Sequence, residues 1–408
     1  MKNIKKVPIL RFPEFSDEWK IKELGNLLEF KNGLNCDKEQ YGTGYKFINV
    51  LDIINNDFIK HEKIIGSVDV TEDIFEKNKV IYGDILFQRS SETREEVGQS
   101  NVYLDFEKPA TFGGFVIRGK KIAEYDPLFM HFLLKTSSAR KEITTKSGGS
   151  TRYNVGQEIL KSVLVIMPSI KEQKEISNFF SMIDIKIEKL TKKKQLLEKY
   201  KKGVMQKIFN QEIRFKNDNS EDYPEWEKQK LENFLILKSN RNKDCKVTLV
   251  LSVNNKKGFV TQDEQFNGYS VASQDLSSYK VIHKNEFAYN PSRINVGSIA
   301  RLKSFEKGIV SPMYVVFKLK DSLNSVFFEN LFDLHKFKHL VKIGCSGSVR
   351  DTLNFDVMQS FNIFLPCIEE QQKIADFLTK IDNKISLVEK QLNGIKKYKK
   401  SLLQQMFI

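Results

Sequence analysis

The 408-residue chain has little of what builds cross-links, metal centres or membrane anchors. Its four cysteines, Cys36, Cys245, Cys345 and Cys367, are scattered and form no CxxC pair. That excludes a disulfide framework and a thiolate zinc site, and it points to a reducing, cytoplasmic setting. Of His61, His131, His283, His335 and His339, only the last two stand four apart, and none sits at metal-ligand spacing with a cysteine or carboxylate. The apolar stretch in "MKNIKKVPILRF" is too short for a signal peptide, and no run approaches a membrane span. A GxxxxGK[ST] loop is also missing, so no P-loop nucleotide site is encoded.

Positive charge is plentiful. The formal net charge is +14 and the pI near 9.3. Such a balance either invites an anionic partner, nucleic acid above all, or reflects a lysine-rich proteome. The length allows two or three domains, each with its own core.

The chain also says the same thing twice. "PSIKEQKEISNFFSMIDIKI" from Pro168 returns as "PCIEEQQKIADFLTKIDNKI" from Pro366, 198 residues on. Residues 168–209 and 366–407 align without a gap and share 17 identities in 42 positions, too many for an accident of composition. The offset extends backward to pair "GSTR" (Gly149–Arg152) with "GSVR" (Gly347–Arg350). A fainter repeat opens each half: "FPEFSDEWKIKELGNLL" from Phe12 answers "YPEWEKQKLENFL" from Tyr223. The whole chain is therefore two copies of one unit, each a variable globular stretch followed by a shared tail.

Each tail carries a heptad. Ile183, Ile187, Leu190, Lys194, Leu197, Lys201, Val204 and Ile208 are spaced 4-3-4-3-4-3-4, and Ile381, Ile385, Val388, Leu392, Ile395, Lys399, Leu402 and Met406 repeat the pattern. The spacing predicts two helices starting near Lys171 and Glu369, each roughly 50 Å long at 1.5 Å per residue. They pair with each other as an antiparallel coiled coil, or else each covers its own domain's sheet. The tails hold net charges of +6 and +3, a large part of the total, on faces open to solvent, to partner subunits or to a phosphate backbone.

The globular stretches alternate strand-like runs with turns. "YKFINVLDI", "KVIYGDILF" and "GGFVIRG" mark the first, and "CKVTLVLSV", "NEFAYN" and "SPMYVVFKLK" the second. Each adds one expected helix, Asp126–Lys146 and Ser325–Ile343. The fold class is α+β: two mixed α/β domains separated by two long helices, with an internal pseudo-twofold repeat. The divisions fall at 1–167 and 223–365 for the domains, 168–210 and 366–408 for the helices, and 211–222 for a polar linker.

These residues carry a family likeness. The "LRFPEFSDEW" start, the "GDILFQR" segment, and the "GSTR…MPSIKEQKEI" and "GSVR…LPCIEEQQKI" joints resemble the specificity (S) subunit of type I restriction–modification systems. The likeness runs from Pro8 to the C-terminus. It implies two target-recognition domains that each read half of an asymmetric, bipartite site in double-stranded DNA. It also implies helices that bind two methyltransferase (M) subunits, with restriction (R) subunits able to join. S-adenosylmethionine would then serve the M subunits, and ATP and Mg2+ the R subunits, with no cofactor on this chain and no membrane role. Two domains related by a pseudo-twofold axis suit half-sites about one helical turn, ~34 Å, apart.

Candidate DNA contacts follow from residue chemistry. After "YGDILF" come Gln88, Arg89, Ser91, Thr93 and Arg94. Arginine suits guanine's two acceptors and glutamine suits adenine's donor–acceptor pair. The counterpart "YNPSRIN" offers Tyr289, Asn290, Ser292, Arg293 and Asn295; both segments also read as ordinary polar hairpin tips. Lys79 and Lys284 are phosphate partners or plain surface lysines. In the Gly-Ser-x-Arg loops, Arg152 and Arg350 either clamp a phosphate or settle a helix-entry turn.

Catalysis is not expected. Adenine methylation needs a glycine motif for its cofactor and an Asn/Asp-Pro-Pro-aromatic loop, and Asn290-Pro291-Ser292-Arg293 lacks the second proline and the aromatic. Two rivals remain: a self-contained restriction enzyme, which would turn over substrate alone, and a pure scaffold, which would bind no DNA.

Overall fold

A computed structural model describes residues 7–255, 257–265, 275–345 and 352–408. The chain forms two compact units, Met1–Lys192 with Glu389–Ile408, and Lys193–Val388. The division cuts through both long helices, so each unit contains the start of one helix and the end of the other.

The first unit is built on a four-stranded antiparallel sheet in the order Leu28–Asn32, Val116–Lys121, Ile85–Gln88, Ser100–Val102. Strand alternation sends successive side chains to opposite faces. Ile85 and Phe87 therefore enter one apolar core, with Trp19, Phe129 and Phe180, while Leu86 enters another with Ile48, Ile53 and Phe112. A sheet covered on both faces explains the unbroken apolar run "ILF" (Ile85–Phe87). Beside it, Lys20–Glu23 pairs antiparallel with Leu164–Met167, bringing the start of the unit to the proline that opens the central helix.

The second unit repeats this plan. Its sheet runs Leu235–Lys238, Val315–Leu319, Phe287–Tyr289, Ile299–Arg301, and Glu227–Lys230 pairs with Asn362–Leu365. Phe287, Tyr289 and Phe317 fill one core, and Ala288 and Val316 the other.

Three expected elements end early, two of them at a capping residue. The run "YKFINVLDI" is a strand only to Ile48; Val50–Asn55 is helical because Asn49 and Asp52 form a capping box. The helix expected over Asp126–Lys146 is two, Pro127–Leu134 and Ser137–Lys146, since the Thr136 hydroxyl accepts from the Ala139 N–H and starts a second helix. Ser325–Ile343 likewise divides into Ser325–Leu331 and His335–Cys345. Short polar side chains at such points satisfy backbone N–H groups that a helix start leaves unpaired.

The long helices span Ile170–Phe209 and Ile368–Met406, and every heptad position on them is buried or half-buried. Ile183, Leu402 and Met406 share the first unit's core, with Ile187 and Ile395 at its edge. Ile208 and Ile381 share the second unit's core, with Val204 and Ile385 at its edge. Leu190, Val388 and Leu392 are buried and Leu197 half-buried. The helices therefore pair antiparallel inside each unit and cover that unit's sheet as well. Three heptad sites hold lysine: Lys194 lies 3.8 Å from Glu198 on its own helix, and the other two find aspartate across the seam. Lys399 meets Asp184 at 2.5 Å in the first unit, and Lys201 meets Asp382 at 2.7 Å in the second. Among the described residues no helix is long and apolar enough to cross a membrane.

Candidate nucleic-acid interface

The repeated Pro-x-x-x-Glu-Gln motif fixes each domain to its helix. Glu172 is fully buried, and its carboxylate accepts from the Arg11 guanidinium at 2.7 and 2.8 Å and from the Trp19 indole at 3.2 Å. The next residue, Gln173, donates to the Pro168 carbonyl and accepts from the Asp126 N–H, the cap of the domain's helix. In the second unit Glu370 accepts from Arg214 at 2.9 Å and Trp226 at 3.1 Å. Gln371 donates to the Pro366 carbonyl and accepts from the Asn324 N–H. Each carboxylate's hydrogen bond raises its arginine's pKa above the ordinary value, keeping both guanidinium groups charged. A charge buried this completely is tolerated only when paired and hydrogen-bonded. Sequence reading missed Arg11 and Arg214. Arg214 lies in the polar stretch 211–222, where Phe215 packs on Phe377 as Phe12 packs on Phe179.

With the domains so anchored, the first unit brings two candidate loops together. Ser90–Ser91 pairs antiparallel with Tyr153–Asn154, and the Val155 N–H donates to the Arg89 carbonyl. The loop carrying Arg89 therefore lies beside the Gly149–Arg152 turn. Gly149 has φ of +117°, and a Cβ there would stand 2.1 Å from the Arg152 carbonyl oxygen, so the turn requires glycine. In the second unit the Leu353 N–H donates to the Pro291 carbonyl, setting the loop of Asn290–Asn295 against the chain that follows residue 351. Arg350 itself lies outside the described residues.

The predicted contact residues divide by exposure. Arg89, Thr93 and Arg152 face solvent in the first unit, as do Ser292, Arg293 and Asn295 in the second; Asn290 is half-buried and accepts from the Ser292 N–H. Arg89 also donates to the Gly114 carbonyl at 3.2 Å.

Others are buried or already held by partners, Arg94 and Lys284 while exposed. Tyr289 is a core residue and not a surface contact: it is fully buried, and its hydroxyl donates to the Leu353 carbonyl at 3.1 Å. Gln88 is also turned inward, because its whole strand is covered on both faces; its amide donates to the Ser90 carbonyl. Ser91 is buried and donates to Glu96, shaping the loop. Arg94 donates to the carbonyls of Thr144 and Thr145, the last turn of Ser137–Lys146, where a cation meets the negative end of the helix. Lys79 is paired with Glu76 at 2.9 Å, and Lys284 with Glu306.

Beside Asn295 the second unit has an open cleft of ≈550 Å³, lined by Asn254, Asn255, Lys257 and Arg301 over a floor of Phe259 and Phe337. The same cleft holds the carboxylates of Glu329 and Asp333, and Arg301 and Lys303 are both paired with Glu329. Among the described residues no group of three or more His, Cys, Asp or Glu is placed to hold a metal ion; His335 and His339 stack with ring centroids 6.4 Å apart.

Comparison with known proteins agrees with this anatomy. The family model described as the type I restriction modification DNA specificity domain matches twice, over residues 16–199 and 223–397. A Methanocaldococcus jannaschii protein named for the MjaX type I restriction enzyme specificity subunit is 26% identical, covering 98% of this chain and 95% of that one. The MjaVIII specificity subunit of the same organism is 23% identical, covering 98% and 94%. In fold, the chain is similar to the crystal structure of a type I restriction–modification S subunit from M. genitalium, with a TM-score of 0.58 at 16% identity over 98% of this chain and 99% of that one.

Proposed function

This chain belongs to the family of type I restriction–modification DNA specificity subunits, and from that premise we propose that its two units read the two parts of one asymmetric site in double-stranded DNA. The observation that carries this reading is the pairing of like frameworks with unlike loops. Both units present a loop at the same end of the same central strand, one with Arg89 and the other with Asn290 and Arg293. Arg89, Arg152 and Arg293 supply charge for phosphate and forked donors for guanine.

The long helices then act as a spacer and a dock. Two copies of one joint suit two methyltransferase subunits, and the outward helix faces, with Tyr200 and Tyr398 at corresponding exposed positions, are free to receive them. Restriction subunits join that assembly. Adenine methylation with S-adenosylmethionine, and cleavage with ATP and Mg2+, belong to those partners; this chain supplies selection and geometry.

The test is DNA affinity of the assembled complex as a function of salt and sequence. A reader gives a steep fall of log affinity with log salt, and about a thousandfold or greater preference for its own site. A shallow slope with no preference among sequences would identify a scaffold.

A further inference from the structure

Each unit leaves a large apolar side chain exposed beside its reading loop. In the first, the chain enters Val116–Lys121 through Gly113 and Gly114. A Cβ on Gly114 would stand 1.9 Å from the Asn35 amide oxygen, and one on Gly113 3.0 Å from the Phe47 ring. The glycines let the chain run close against these two side chains, and the residue after them faces outward. That residue is Phe115, 66% exposed. Its carbonyl accepts from the Arg89 N–H at 2.9 Å, while the Arg89 guanidinium holds the Gly114 carbonyl. Leu51, equally exposed, borders the same depression of ≈240 Å³.

In the second unit the equivalent strand, Val315–Leu319, is entered through Ser311–Tyr314. Tyr314 is anchored: its hydroxyl accepts from the Val253 N–H and its carbonyl from the Lys280 ammonium. Met313 before it is 64% exposed. Different sequences thus leave an apolar group at the same place, next to the strand whose end carries the polar reading loop.

We propose that Phe115 and Met313 are specificity-determining residues, each packing on the C5-methyl group of a thymine in its half-site. The inference rests on the reading of the units as DNA readers. The thymine methyl is the apolar feature of the major groove, and apolar contact with it distinguishes thymine from cytosine, while a neighbouring arginine can read guanine or phosphate. Arg89 and Arg152 in the first loop pair, and Arg293 in the second, hold the duplex against this group.

The experiment uses the full-length chain co-purified with its methyltransferase partner, and duplexes of the mapped target in which thymines are replaced singly by deoxyuridine, removing only the methyl. One thymine in the first half-site loses about fourfold in affinity on replacement, and loses nothing more in Phe115→Ala. Met313→Ala behaves likewise toward the second half-site, and neither variant affects the other's. The series on the unaltered protein stands even if a variant folds poorly. The inference is overturned if every thymine tolerates deoxyuridine, if the half-sites hold no thymine, or if the variants keep the same penalties. It is overturned equally if Phe115→Ala weakens capture of the methyltransferase and leaves the duplex series unchanged, which would make the patch a protein contact. A complex with no sequence preference at all would remove the underlying reading along with it.

Discussion

At the head of the central helix Glu172 is held by Arg11 and Trp19, and at the head of the C-terminal helix Glu370 is held by Arg214 and Trp226. Between these matching joints, the loop that carries Arg89 in one unit carries Asn290 and Arg293 in the other. The joint is buried, charged and fully hydrogen-bonded, so almost any substitution in it leaves an unpaired group in the core. The loops are exposed and held at their ends by strand pairing, so their tips can change without cost to the fold. A duplicated frame with exchangeable tips is what a two-part reader needs.

The largest effect should come from the joints. Glu172→Ala strands the Arg11 guanidinium and the Trp19 indole and should cost about 3–5 kcal/mol in denaturant unfolding. Glu370→Ala should cost about as much, because its partners are the same. A tolerated change on one side only would break the equivalence of the halves.

A smaller effect separates the two kinds of loop arginine. Arg94→Ala removes hydrogen bonds to a helix end and should lower stability by about 1 kcal/mol. Arg293→Ala should leave stability within about 0.5 kcal/mol, yet weaken DNA binding and reduce its salt slope by about one. Equal stability losses would mean that the second loop is built into the fold as the first is.

The smallest effect belongs to the seam. Lys399 and Lys201 pair with aspartate near the surface, and Lys399→Met or Lys201→Met should change stability by about 1 kcal/mol or less. A loss of several kcal/mol, read by the same unfolding assay, would show these pairs fixing the register of the helices.

The seam was legible because a heptad is local: each position predicts the next, and burial followed the pattern even at its lysines. The repeat of Glu172-Gln173 as Glu370-Gln371 was visible too, but not its purpose, which lies in partners more than 140 residues away. Arg11 and Arg214 stayed hidden because the loops between the repeats differ in length, so the two arginines stand 203 residues apart and not 198. Tyr289 and Gln88 misled for another reason. Polar atoms at a strand end look like surface, but these strands are covered on both faces, which alternation along one strand cannot reveal. The helix break at Thr136 was written in a capping residue and overlooked in favour of length.

The most direct measurement is to co-express the full-length chain with its methyltransferase partner and map methylated adenines across a genome. Two divergent readers on one frame predict a single motif in two unlike parts at a fixed spacing. Methylation that is absent, scattered, or confined to one continuous symmetric motif would contradict the account.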